Sequence, residues 1–169
     1  DYIEVIKYCN PDFFVMENVP GFLTMNGGEI FEEVVKTFSD ENIFKNGVYH
    51  LSHAIVNAYD LGVPQTRKRL IVIGTKKPAF DLSEKIQHYI QEKNIQKNNV
   101  WNAISDLDYL NMGEGENISH YIHPPLSELQ KKLRDNGDEL FGHKAFTHKD
   151  DIIERMKKIK QGENFKVLN

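Results

Sequence analysis

An α/β fold is what this sequence predicts, and three stretches carry the prediction. Phe13-Phe14-Val15-Met16 is a short apolar run ending in Glu17, Asn18 and a Val19-Pro20-Gly21 turn, the pattern of a buried strand that delivers polar groups at its end. Glu29 through Glu41 sets Ile30, Phe31, Val34, Val35 and Phe38 along one side of a helix with acids opposite, as in a helix covering a sheet. Leu70-Ile71-Val72-Ile73 is too short and too branched for a helix and reads as a further buried strand. In an open, mostly parallel α/β sheet, ligands bind just past the carboxyl ends of strands, which places Glu17 for chemistry. An acid at that point is also compatible with a solvated turn or a helix cap.

The remaining elements follow in order. Tyr2, Ile3, Val5, Ile6 and Cys9 recur at helical spacing until Asn10-Pro11 stops them, so a short helix precedes the first strand, with Cys9 expected on its apolar face as a small buried thiol. Tyr49 to Tyr59 is rich in β-formers and is expected to pair with Leu70–Ile73 as an antiparallel hairpin at the edge of a parallel sheet. Between them, Asp60 to Lys68 is a loop fixed by Gly62 and Pro64 that delivers Gln65, Arg67 and Arg69 to one end of the hairpin. Arg67 and Arg69 are two apart, so in extended chain they share a face.

Past Lys76 the branched apolar residues thin out, and the sheet domain is expected to end near Pro78, leaving 1–78 as the α/β portion and 79–169 as a mainly helical connecting region. Asp81-Leu82-Ser83-Glu84 resembles a capped helix start, with Ile86, Tyr89 and Ile90 on one side, fading at the polar run Lys93 to Asn99. Val100 to Leu107 reads as a second short helix, and Asp108 to His123 as irregular chain. Pro125 suits a first helical turn continued by Leu126, Leu129 and Leu133 up to Asn136-Gly137. Thr147-His148-Lys149-Asp150 is a capping signature before Ile152, Ile153, Met156 and Ile159, closed by Gly162.

Composition narrows the function classes. The 169 residues fit one domain, or one and part of another, and the chain opens on Asp1, which suggests a piece of a longer or processed protein. No apolar run approaches the roughly 20 residues that span a bilayer, so no membrane partner is expected. A single cysteine cannot form an internal disulfide, which favours a reducing, cytosolic setting. The net charge of -4 argues against binding nucleic acid by overall charge, yet two of the four arginines sit together in Arg67-Lys68-Arg69, followed without an intervening acid by Lys76-Lys77. Of the seven histidines, His120 and His123 have a usable metal spacing but no matching second pair or Cys cluster, so no metal is expected. Neither a GxGxxG nor a P-loop pattern occurs.

Two constellations remain, Met16-Glu17-Asn18-Val19-Pro20-Gly21 and Gly62-Val63-Pro64-Gln65-Thr66-Arg67-Lys68-Arg69 running into Leu70-Ile71-Val72-Ile73-Gly74. Together, in this order, they resemble the DNA (cytosine-5) methyltransferases, which carry a Glu-Asn-Val after a buried strand and later a Gly-x-Pro-Gln-x-Arg-x-Arg before an apolar strand. The likeness is strong over residues 10–75. It is weaker at Val100 to Leu107, which looks like the link to the family's recognition domain, and at Arg155 to Phe165, which looks like that domain's opening.

The resemblance implies a middle portion of a Rossmann-like, S-adenosylmethionine-dependent methyltransferase acting on double-stranded DNA, in a restriction-modification setting. A cytosine inside a duplex must be flipped out to be reached. Methylation at C5 needs a cysteine thiolate added at C6, and a carboxyl group at N3 then stabilises the charge that builds on the ring. Glu17 matches that carboxyl group, and burial at a strand end would suit it for the task. Arg69 matches the guanidinium that holds it and donates to the cytosine O2, with Arg67 assisting on the pocket loop or the phosphates. Asn18 is expected to tie the strand end to backbone and Gln65 to shape the loop. The family's Gly-rich cofactor start and Pro-Cys-Gln nucleophile are absent from residues 1–169, and Cys9 has neither flanking residue. The cofactor is therefore implied by family, with no binding residue for it in this chain. Missing N-terminal and C-terminal parts of the same enzyme are the expected partners, and the chain alone is expected to be inactive. A non-catalytic nucleic-acid-binding relic, or an α/β domain in which Glu17 and Arg69 form a merely structural pair, would share these residues.

Overall fold

The computed structural model describes residues 2–168, and its contacts divide the chain into two units that part between Asn99 and Val100. The first holds α1 (Tyr2–Cys9), β1 (Phe13–Asn18), a 3-10 segment at Pro20–Gly28, α2 (Glu29–Phe38), β2 (His50–Asn57), a 3-10 turn at Ala58–Leu61, β3 (Lys68–Thr75) and α3 (Leu82–Glu92). The strand order is β1-β3-β2 and both pairings are antiparallel. The predicted hairpin is thus β2 with β3. Its returning strand lies in the middle of the sheet, and β1 pairs with it directly. No parallel pairing occurs among the described residues, although β1 and β2 run the same way on either side of β3.

Alternation along the strands makes two faces. Phe14 on β1 and Leu70 and Val72 on β3 are buried against α1, α2 and the 3-10 segment. The Phe14 ring lies 4.7 Å from Phe38 and 5.2 Å from Tyr49. Each such ring stabilises the fold by about 1.5–3 kcal/mol relative to exposure. Opposite Phe14 stands Gly74, and its missing side chain leaves the space that the Phe14 ring fills. On the other face α3 packs on β2, covering Ser52 and Ala54, and the Ser52 hydroxyl accepts the Phe80 amide at 2.9 Å. α3 follows the compositional shift near Pro78 and yet belongs with the sheet.

Some expectations change at the level of single side chains. Cys9 is exposed: α1 buries only Ile6, so its apolar stripe is too narrow to take in the thiol. β1 continues through Asn18, which makes Glu17 a strand residue. α2 stops at Phe38, short of Glu41, because the Asp40 carboxylate takes up the Asn42 amide in a turn that brings in Phe44 and Tyr49.

The second unit comprises α4 (Val100–Ile104), β4 (Ile118–His120), α5 (Glu128–Arg134), β5 (Glu139–Phe141) and α6 (Asp150–Lys157), with a 3-10 turn at Phe165–Leu168. It is not simply helical: β4 and β5 form an antiparallel ribbon, each strand being only three residues long and so too short to show an alternating pattern. Pro125 does not open α5. Ser127 does, its hydroxyl accepting the Gln130 amide at 3.1 Å while the Gln130 side chain accepts the Leu126 amide, one residue before the cap, at 2.5 Å; Leu126 and Leu133 stay exposed. α4 ends at Ile104, short of Leu107. Thr147 caps nothing: α6 begins after Lys149, which makes no side-chain cap, and ends before Ile159 and Gly162. Beside buried Leu140, the unit's interior is polar. Buried Asp106 receives Arg134 through Nε at 3.1 Å and Nη2 at 2.5 Å, and the guanidinium stacks 3.8 Å from the centre of the Tyr121 ring.

Candidate active site

The register of β1 against β3 decides where the singled-out residues meet. Glu17 stands opposite Ile71, so Arg69, two residues back on β3, is its diagonal neighbour on the same face. The two side chains close this gap as an ion pair, Arg69 Nε to Glu17 Oε1 at 2.6 Å. Nη1 of the same guanidinium donates to the Lys68 carbonyl at 2.8 Å, which holds the plane from behind. The arginine side chain is 26% exposed and the carboxylate 54%. Burial does not enclose Glu17 as expected, because it lies at the strand end on the sheet face that also leaves Phe13 and Val15 open. A carboxylate held on one oxygen by a guanidinium retains acceptor capacity on the other, and the guanidinium keeps donors to spare.

Asn18 turns its side-chain oxygen onto the next backbone amide, Val19 N, at 2.8 Å. That fixes the exit of β1 into the Pro20 segment and keeps Asn18 off the ion pair. Gln65 is exposed, its backbone amide bonded to the Val63 carbonyl at 2.7 Å in a tight turn. Arg67 is held by its backbone only: its amide donates to Asn57 Oδ1 at 3.0 Å, and its carbonyl accepts the Ala58 amide at 3.0 Å. Its guanidinium is exposed and makes no ion pair among the described residues. The structure therefore joins Glu17 to Arg69 and keeps Gln65 and Arg67 on the loop beside β3. Asn57 is the residue that motif reading missed. Its signal was its place at the last position of β2, where an amide side chain can close the loop that follows.

S-adenosylmethionine does not fit these residues by themselves. The donor set at the strand end is a carboxylate already paired, a guanidinium and an amide turned to its own backbone, with no acid free for a ribose and no glycine cradle for close approach. The groove of about 340 Å³ nearby lies between β2 and α3 and is lined by Ala54, Ile86, Ile90, Asp60 and Lys97, not by Glu17.

The sequence matches the family described as C-5 cytosine-specific DNA methylase over residues 1–168. It is 31% identical over 166 residues to the type II methyltransferase M.DdeI of Desulfomicrobium norvegicum, covering 98% of this chain and 39% of that protein. With the type II methyltransferase M1.HphI of Haemophilus parahaemolyticus it shares 27% identity over 162 residues, covering 96% of this chain and 34% of that protein. The chain thus spans well under half of either relative. Among solved structures, a prophage-encoded Escherichia coli protein described as a DNA modification methyltransferase superposes with a TM-score of 0.62 at 19% identity, covering 98% of this chain and 51% of that one, a likeness of fold. On the match that runs through its whole described length, the chain belongs to the C-5 cytosine-specific DNA methylase family.

Proposed function

We propose that this chain is the middle portion of a DNA cytosine-5 methyltransferase of a restriction-modification system, in which Glu17 and Arg69 hold the edge of a cytosine flipped from duplex DNA. The observation that carries the reading is the Glu17 to Arg69 pair at 2.6 Å, set at the end of β1 on an open sheet face. A carboxyl group can donate to N3 of the base as negative charge builds on the ring, and the guanidinium can donate to O2 while keeping the carboxyl group oriented. Arg67, exposed on the adjoining loop, is available to a phosphate or to the pocket rim. The sheet unit is then part of the catalytic domain, and the second unit links it to target recognition.

S-adenosylmethionine would supply the methyl group. The residues that would hold it, and the cysteine nucleophile, would come from other parts of the enzyme. The 169-residue chain alone should therefore transfer no methyl groups. Mixing it with the upstream half of the same enzyme, then digesting duplex DNA for mass spectrometry, should give 5-methylcytosine only when both pieces and S-adenosylmethionine are present. Methyl transfer by the chain alone would refute the assignment of the missing parts. DNA binding by the mixture without 5-methylcytosine would favour the non-catalytic relic.

A further inference from the structure

The polar run Lys93 to Asn99, in which the sequence shows only a fading helix, is built into the loop that carries Arg67. α3 ends in a left-handed turn at Asn94, where the Asn94 amide donates to the Gln91 carbonyl and the Ile95 amide to the Ile90 carbonyl, both at 3.1 Å. This paired arrangement reverses the chain sharply and satisfies the last carbonyls of the helix. The reversed segment then runs back against Gly62. Asn98 Nδ2 donates to the Gly62 carbonyl at 3.0 Å. A side chain on Gly62 would meet Gln96 O at 3.1 Å and Ile95 Cγ2 at 3.2 Å, and its φ of +84° favours glycine in any case. Lys97 adds an ion pair to Asp60 at 3.1 Å and lies 5.2 Å from the centre of the Tyr59 ring.

These contacts converge on one stretch, Tyr59 to Gly62, just ahead of Val63-Pro64-Gln65-Thr66-Arg67. The base of that loop is closed by Asn57 and by the Ala58 amide on the Arg67 carbonyl. Its tip residues Val63, Gln65 and Thr66 are exposed. The segment 94–98 is therefore an outer brace on a loop whose other fastenings are at its base and within its own turn. The Lys97 pair is solvent-exposed on both sides and adds little, whereas the half-buried Asn98 amide satisfies a backbone carbonyl that would otherwise lose its partner.

We infer that Asn98 is a positioning residue for the arginine-bearing loop, acting through Gly62 so that the Gln65 to Arg69 arm keeps its course into β3. For methyl transfer the inference rests on the proposed reading of Glu17 and Arg69. For the loop itself it stands alone. The segment also continues directly into Val100, where the second unit begins, so the brace is the last piece of chain before that unit.

The test uses Asn98→Ala and Asn98→Asp, the second nearly isosteric but lacking the donor. In the 169-residue chain, amide hydrogen exchange from Tyr59 to Arg67 should quicken about tenfold in both variants, while Phe14, Leu70 and Val72 keep their protection. In a full-length methyltransferase carrying this chain, both variants should lower kcat about tenfold with the Kd for duplex DNA within about twofold of the parent. An Asp60→Lys, Lys97→Asp exchange should stay within about twofold of the parent in both assays. Unchanged loop exchange, or loss of protection spread evenly over β1 to β3, overturns the inference. So does a fall in kcat matched by an equal loss of DNA affinity. If the parent enzyme itself transfers no methyl group, the proposed function fails, and the exchange measurement still decides whether Asn98 braces the loop.

Discussion

Replacing Glu17 with glutamine separates a working carboxyl group from a structural one. The pair it breaks is short, 2.6 Å, but the carboxylate is 54% exposed and the guanidinium keeps its bond to the Lys68 carbonyl. An exposed pair of this kind contributes about 1 kcal/mol or less. With a urea slope of about 2 kcal/mol per molar, the midpoint of the 169-residue chain should fall by no more than about 0.5 M. The effect on chemistry should be far larger. A carboxyl group that protonates or hydrogen-bonds a developing anion supplies about 100-fold to 10000-fold in rate, or about 3–5 kcal/mol of barrier. Single-turnover methylation by the full-length enzyme at saturating DNA should therefore slow by at least about 100-fold in Glu17→Gln, with little change in DNA affinity. Equal rates for variant and parent would refute the proton role. A stability loss above about 3 kcal/mol, beyond what such a pair supplies, would instead mark Glu17 as a structural partner of Arg69.

Other outcomes follow from the packing and from the titrating groups. Gly74→Ala drives a methyl group into the Phe14 ring, itself hemmed in by Phe38 and Tyr49, and should cost about 3 kcal/mol by urea unfolding. Gly21→Ala, which meets no atom within 4 Å, is the control and should stay within about 0.5 kcal/mol. Burial, and then the nearby Asp12 carboxylate, raise the Tyr49 pKa above its ordinary 10.0. Stability from keeping that phenol neutral is complete below pH 10.0 and is lost as pH rises through the raised value, so Tyr49→Phe should flatten the alkaline decline seen by circular dichroism. Arg134→Met strands the buried Asp106 carboxylate and should destabilise the second unit by about 3–5 kcal/mol in thermal unfolding, with much of the loss recovered when Asp106→Asn is added.

The sheet unit was legible because its signals are dense and local. Phe14, Leu70 and Val72 alternate with half-open neighbours, and Gly62 and Pro64 announce the loop between the hairpin strands. The pairing of β1 with β3 was not legible, since which strand lies between two others depends on long-range register and leaves no trace in either strand alone. The second unit misled for a different reason. Its interior is held by Asp106, Gln130 and Arg134, residues that pattern reading assigns to the surface, while Leu126, Leu133 and Phe141 are exposed. At the site, Glu17 and Arg69 were visible as motif residues, but Asn57 and Asn98 were not, because an asparagine bonding to a backbone atom far away in sequence looks like any polar loop residue.

The geometry of the ion pair and the packing of the core are one property of this sheet. Glu17 reaches Arg69 only in the register that sets Glu17 opposite Ile71 and Phe14 opposite Gly74. A slip of one residue would put the two side chains on opposite faces: either Glu17 would turn into the core beside Leu70 or Val72, or Arg69 would turn to the face that α2 covers. The contact that forbids the slip is Phe14 over Gly74, since an ordinary residue opposite Phe14 would collide with its ring. The pair itself is too exposed and too weak to hold the strands in place. The alignment of the carboxyl group with the guanidinium is thus enforced from the other face of the sheet by an aromatic ring and an absent side chain. Larger residues at Gly74 should consequently damage site geometry as well as stability, even though no atom of Gly74 belongs to the site.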